Sequence, residues 1–173
     1  MFNSYFMVKP VIIYLDIDGV LVSYLHLLDR DPVDGKHKFI PEAVVALNKI
    51  INLFDAHICI VSTWGRKYYT NDIDSSEFKD FLIGRGIKVN GLTFGDCDDR
   101  AGFVLKQKEL GYTRFIIIDD EALEYQLRHT EIGYNRIIGT NPYRCLDMMD
   151  YEWIAFNKSR ILDINYPNTV KNA

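Results

Sequence analysis

The chain is 173 residues long, enough to bury a real core, and its 48% hydrophobic and 25% charged residues are ordinary for a globular protein. A formal net charge of −4 argues against a broad nucleic-acid footprint, which needs clustered Lys and Arg, but leaves room for a small basic patch. The three cysteines, Cys59, Cys97 and Cys145, are far apart with no CxxC, which argues against a disulfide framework or a zinc site and fits a reduced, cytoplasmic setting. The start, MFNSYFMVKP, has no basic segment followed by a long apolar one, and no run approaches the ~18 apolar residues of a membrane span. We therefore expect no signal peptide and no membrane partner.

Val11 to Leu15 is a short continuous apolar run, as a buried parallel strand requires. Residues 20 to 40 are polar and irregular, and Lys36, His37 and Lys38 read as a solvated flap. Pro41 suits the first position of a helix, PEAVVALNKIINLF, in which Val44, Leu47, Ile51 and Phe54 recur at helical spacing. HICIVS (57 to 62) is a second buried strand, with His57 a satisfied strand residue and Cys59 in the core. Asp74 with Glu77 predicts a capping box before EFKDFLIGRG, ended by Gly84 or Gly86. A short strand falls in IKV or LTF. A helix covers Ala101 to Leu110 and stops at Gly111. FIIID (115 to 119) is the third clear strand, EALEYQLRH reads as helix and RIIG as strand. Asp147 caps MMDYEWIAF, whose Met148, Tyr151 and Ile154 or Ala155 share a face. From Asp163 the chain reads as a polar tail.

Strands alternating with helices imply a single α/β domain over 1–173, Rossmann-like, with three α/β/α layers around a mostly parallel sheet and a core at about 11–157. Ligands bind such sheets at the carboxyl ends of the strands. The groups delivered there are Asp16 and Asp18, then Ser62, Thr63 and Trp64, then Asp119 and Asp120. Asp16 and Asp18 repel each other, and a bound cation is the simplest offset. An EF-hand loop does not explain the pair, because its Gly belongs at loop position six and Gly19 is at position four counted from Asp16.

DIDGV, IVS, a basic residue opening a helix, and IIIDD follow one another in the order of the four motifs of the haloacid dehalogenase-like superfamily of phosphohydrolases, which the chain resembles over about residues 11 to 157. STWGRK after the second strand, and TNPYRCL before an acidic helix, resemble more narrowly the subfamily found in Swiss army knife RNA-repair proteins, although Gly65 intervenes before Arg66. The resemblance implies a Mg²⁺-dependent phosphatase acting through an aspartyl-phosphate. Asp16 would be the nucleophile and Asp18 the general acid, then base. Gly19 would let the chain turn, and Ser62 would hydrogen-bond the phosphate, with Thr63, Trp64 and Arg66 close to the substrate. Asp16, the Asp18 carbonyl and Asp119 would hold Mg²⁺, with Asp120 as ligand or supporting group. The third motif is usually Lys. Here Arg100, at the start of a helix that precedes FIIID and so runs away from the strand ends, has the better position than Lys106 and Lys108 further along, with Lys106 the alternative to be tested against it.

About twenty residues separate Leu21 from Pro41, room for a small hairpin flap, and residues 65 to 99 are largely used by one helix and one strand. The enzyme is thus expected to be capless or nearly so, with an open site for exposed phosphates on nucleic-acid ends or other large substrates, small metabolites remaining possible. Two rival classes remain. One is a catalytically idle domain of the same fold that senses phosphate or binds protein, disfavoured by intact Asp16 and Asp18. The other is a Mg²⁺-dependent nuclease using the DxD pair of a topoisomerase-primase fold. It lacks the upstream Glu it would need, since Glu42 lies downstream.

Overall fold

A computed structural model describes residues 9–26, 28–30, 35, 37–71, 74–122, 125 and 129–163. Five strands form one parallel sheet: β1 (Ile12–Leu15), β2 (His57–Ile60), β3 (Leu92–Phe94), β4 (Phe115–Asp119) and β5 (Ile137–Gly139), in the order β3-β2-β1-β4-β5. The helices between them are α1 (Pro41–Phe54), α2 (Arg66–Asn71), α3 (Ser76–Gly84), α4 (Arg100–Glu109) and α5 (His129–Ile132), followed by α6 (Met148–Phe156) and α7 (Lys158–Leu162).

The strands read as unbroken apolar runs because both faces are covered. Ile13, Leu15, Ile58, Ile60, Ile116 and Ile118 point into the core beneath α1 and α6, where Leu47, Ile51, Phe54 and Ile154 pack. The alternate residues Ile12, Tyr14, Cys59, Phe115 and Ile117 point the other way, against Ala101 and Val104 of α4 and Tyr125. Period-two alternation in each strand thus serves two cores, and it fixes the strand register. Among the described residues no helix is long and apolar enough to cross a membrane.

Most expected elements are present, and the differences have local causes. LTF, not IKV, forms the strand beside β2. The capping box expected of Asp74 and Glu77 does not form. Ser75 occupies the cap position with φ −89° and ψ 3°, and Asp74 instead accepts from the Ser76 N–H at 2.9 Å and the Ser76 hydroxyl at 2.8 Å. The expected solvated flap is corrected at His37, whose ring lies 5.3 Å from that of Trp64. Arg30 and His37 form an isolated antiparallel bridge, while Lys36 lies outside the described residues. The expected helix EALEYQLRH falls mostly outside them too, as does the tail beyond Asp163.

The cap expected at Asp147 forms, and Asp150 completes it as a capping box. Asp147 accepts from the N–H groups of Met149 and Asp150, and Asp150 accepts from the Asp147 N–H in return. It anchors α6, which closes the core over α1. Asp147→Ala is expected to destabilise the protein by about 1 kcal/mol, lowering Tm by about 2–4 °C. Asp147→Asn, which can still accept, should lower it by less; equal melting of the two variants would show that the cap contributes nothing.

Candidate active site

The parallel register sets the site. Leu15 pairs with Ile60 on one side and Ile118 on the other, so the next residues of the three central strands arrive at one level. The Asp16 N–H donates to the Ile118 carbonyl at 3.0 Å, and the Val61 N–H to the Leu15 carbonyl at 3.0 Å. Asp16, Ser62 and Asp119 therefore meet at the carboxyl edge, all buried.

Two buried carboxylates at one level need positive charge. Arg100, the first residue of α4, supplies it. Its Nη1 donates to Asp119 at 2.8 and 3.0 Å and to Asp16 at 3.1 Å, with Glu121 3.7 Å away. Arg100 can reach because α4 precedes β4 and runs away from this edge, so its N-terminus sits at the site. Asp99 caps that end by accepting from the Gly102 N–H at 3.0 Å. Burial opposes the charge on Arg100, but Asp119 and then Asp16 more than offset it, and its pKa lies above the usual arginine value. Burial raises the Asp16 pKa and Asp119 raises it further, while Arg100, the Ser62 hydroxyl and the Ile17 N–H pull it down. Asp119 is likewise raised by burial, against Arg100, the Glu121 N–H and the Tyr125 hydroxyl. Without further positive charge, this edge resists full ionisation.

Gly19 forms the turn that follows. Its φ is +70°, and an added Cβ would stand 2.3 Å from Asp120 Cγ, so glycine is required twice over. The turn brings Asp18 over the edge, where its Oδ2 accepts from the Trp64 indole N–H at 2.9 Å. Trp64 also packs, with its ring stacked on Phe81 at 6.0 Å. Packing and orientation of Asp18 are thus combined in one side chain. Gly65, which interrupts the Ser-Thr-Trp…Arg stretch, is needed because a Cβ there would lie 2.8 Å from Phe94 Cδ1.

The structure gathers Asp16, Asp18, Ser62, Trp64, Arg100, Asp119 and Asp120 at this edge. Thr63 is exposed on the short 3₁₀ turn beside it. Arg66 instead pairs with Asp98 on the surface at 2.6 Å. Lys106 is exposed, two turns along α4. Four supporting residues were not expected. The Tyr125 hydroxyl donates to Asp119 at 3.1 Å, Glu121 flanks Arg100, the Tyr24 hydroxyl bonds Asp120, and the Thr140 hydroxyl donates to the Gly19 carbonyl at 3.0 Å. Thr140 was within reach of sequence reasoning, since it follows the strand RIIG as Asp120 follows FIIID. Tyr24 carried no such signal.

Residues 12–150 match the family described as the HAD domain in Swiss Army Knife RNA repair proteins. The chain belongs to this family. Comparison with curated proteins gives no match. Membership of the HAD family points to phosphohydrolase-type chemistry, and HAD domains generally use Mg²⁺.

The residues fit such an ion. Asp16, Asp119 and Asp120 each offer an oxygen within 4.8 Å of the others. Asp120 Oδ1 is buried and, among the described residues, has no hydrogen-bond partner. A buried carboxylate oxygen without a partner is costly unless a cation uses it. Hard oxygen donors of this kind suit Mg²⁺. Saturating Mg²⁺ should therefore raise Tm by about 5 °C or more, through binding to the folded state alone. The rise should vanish in Asp119→Asn; a rise that persists in that variant would place the ion elsewhere.

Proposed function

We propose that the protein is a Mg²⁺-dependent phosphatase that hydrolyses phosphomonoesters through an aspartyl-phosphate, with an open site suited to nucleic-acid ends or other large substrates. The observation that carries this reading is the pairing of roles at one edge: Asp16 held by Arg100 and Ser62, and Asp18 held separately by Trp64. Two carboxylates in different settings can take two different tasks.

An Asp16 oxygen attacks phosphorus, and the bond from phosphorus to the leaving oxygen breaks as Asp18 gives that oxygen its proton. The alcohol departs. Asp18, now a carboxylate, takes a proton from water as the water oxygen attacks phosphorus, which releases inorganic phosphate and restores Asp16. Arg100 and the Ser62 hydroxyl hold Asp16 in place, and Arg100 adds positive charge where the phosphoryl oxygens gather it. The carboxylates of Asp16, Asp119 and Asp120, with the Asp18 carbonyl, are the groups that would hold Mg²⁺, whose charge offsets both carboxylates and phosphate. Among the described residues between the second motif and Arg100 there are the short helices α2 and α3 and the sheet strand β3, with no larger insertion, in keeping with an open site and a large substrate. The family's description names RNA repair, which favours a nucleic-acid end.

Turnover of p-nitrophenyl phosphate tests the reading. It should require Mg²⁺ and cease in EDTA. Arg100→Ala should lower kcat by about 100-fold or more, roughly 2.7 kcal/mol of transition-state stabilisation. Lys106→Ala should change it by less than about threefold, as expected of an exposed helix charge. Full activity in EDTA, or the opposite ranking of the two variants, would contradict the mechanism.

A further inference from the structure

Trp64 has a second face to its environment. It orients Asp18 through its indole nitrogen, and its ring forms one wall of a cleft of about 460 Å³. Phe78 and Phe81 form further apolar wall, and Arg30, His37 and Lys67 bring basic side chains to it. Such a volume is that of a small-molecule site. The cleft lies between Arg30, Gly35 and His37 on one side and helices α2 and α3 on the other, outside the carboxylate cluster.

Its place relative to Asp18 gives it a role. In the phosphatase reading, on which this inference rests, Asp18 protonates the leaving oxygen. The Asp18 carboxylate is turned to Trp64, with its Oδ2 at 2.9 Å from the indole nitrogen. The leaving oxygen must come to that carboxylate, and Trp64, which lines the cleft, stands directly beside it. We propose that this cleft is the leaving-group subsite and that it takes a nucleoside, from a free nucleotide or from a phosphorylated nucleic-acid end.

The chemistry of the walls selects that class. Aromatic rings favour a planar ring, and base stacking on aromatic side chains tolerates any base. A sugar or polyol would ask for several neutral hydrogen-bonding side chains, where this cleft offers rings and, besides the Tyr68 hydroxyl, mainly charged groups: Arg30, Lys67 and the acid Glu77. Lys67, exposed and lying over the Tyr68 ring at 4.7 Å, stands where a second phosphate would meet it. A nucleic-acid end carries that second phosphate, whereas a free monophosphate does not.

Two readouts test the proposal. The chain has two tryptophans, so Trp153→Phe leaves Trp64 as the sole indole, and Trp153 is exposed enough to be replaced without loss of fold. Adenosine monophosphate should quench that fluorescence saturably, and glycerol phosphate should not. In kinetics with Mg²⁺, kcat/KM for adenosine monophosphate should exceed that for glycerol phosphate and for O-phosphotyrosine by about tenfold or more. Phe81→Leu, which keeps apolar bulk but removes the ring, should bring the ratio to glycerol phosphate down by about tenfold. Because any change at Asp18 acts on both substrates, the ratio isolates the cleft. An oligonucleotide with a terminal phosphate identifies the source. If it is preferred over the mononucleotide and Lys67→Glu removes the preference, the cleft serves nucleic-acid ends. If the two are used alike and Lys67→Glu changes neither, it serves nucleotides. Absent quenching, a ratio near one, a preference for O-phosphotyrosine, or a ratio unmoved by Phe81→Leu would overturn the proposal. If no phosphate ester is turned over at all, the phosphatase reading fails, and the fluorescence titration alone still decides whether the cleft binds a nucleoside.

Discussion

Arg100 bridges Asp16 and Asp119 from the buried end of α4, and the rest of the site is arranged around that bridge. Parallel strands whose both faces are covered deliver their polar ends to one place, and here the place is crowded with carboxylates. A buried ion pair is only weak evidence for stability, because desolvation can exceed the attraction. Its presence at a strand edge is better explained by what the charges do. Burial pushes Asp16 and Asp119 upward, Arg100 pulls both down, and Asp120 adds a third acid with one oxygen left without a partner among the described residues. The arrangement is short of positive charge, which suits the binding of a cation.

Neighbouring segments hold this edge in shape. The loop after β5 clamps the one after β1: Thr140 bonds the Gly19 carbonyl, the Leu146 N–H donates to the Val20 carbonyl at 3.0 Å, and the Ser23 hydroxyl to the Tyr143 carbonyl at 2.8 Å. The TNPYRCL stretch is therefore a brace for the first motif. On the other side, the turn after β2 lies close enough to β3 that only glycine fits at position 65, and this seats Trp64 beneath Asp18. The two acids that matter most are held by different parts of the chain, which keeps their surroundings distinct.

The sheet, and the acids that end its strands, could be read from the sequence because each depends on one short segment. FIIID must be a buried strand, and the acid that ends it must sit at the edge. The position of Arg100 followed from the direction of its helix. What escaped reading depends on distant segments or on local backbone geometry. Tyr24 reaches Asp120 from an irregular loop, and no pattern in that loop marks it. His37 packs on Trp64 although its neighbours in sequence are charged. Asp74 and Glu77 have capping-box spacing, yet the backbone at Ser75 turns the cap aside. Trp64 was legible as a group delivered to this edge, but its bond to Asp18 depends on the turn at Gly19.

The central claim is that Asp16 carries the phosphoryl group during turnover. Acid quenching during turnover of a ³²P-labelled phosphomonoester with Mg²⁺ tests it most directly. The account predicts label on the peptide that contains Asp16, lost on a chase with unlabelled substrate and absent from Asp16→Asn. Rapid turnover with no label on the protein, or label on a peptide without Asp16, would contradict it.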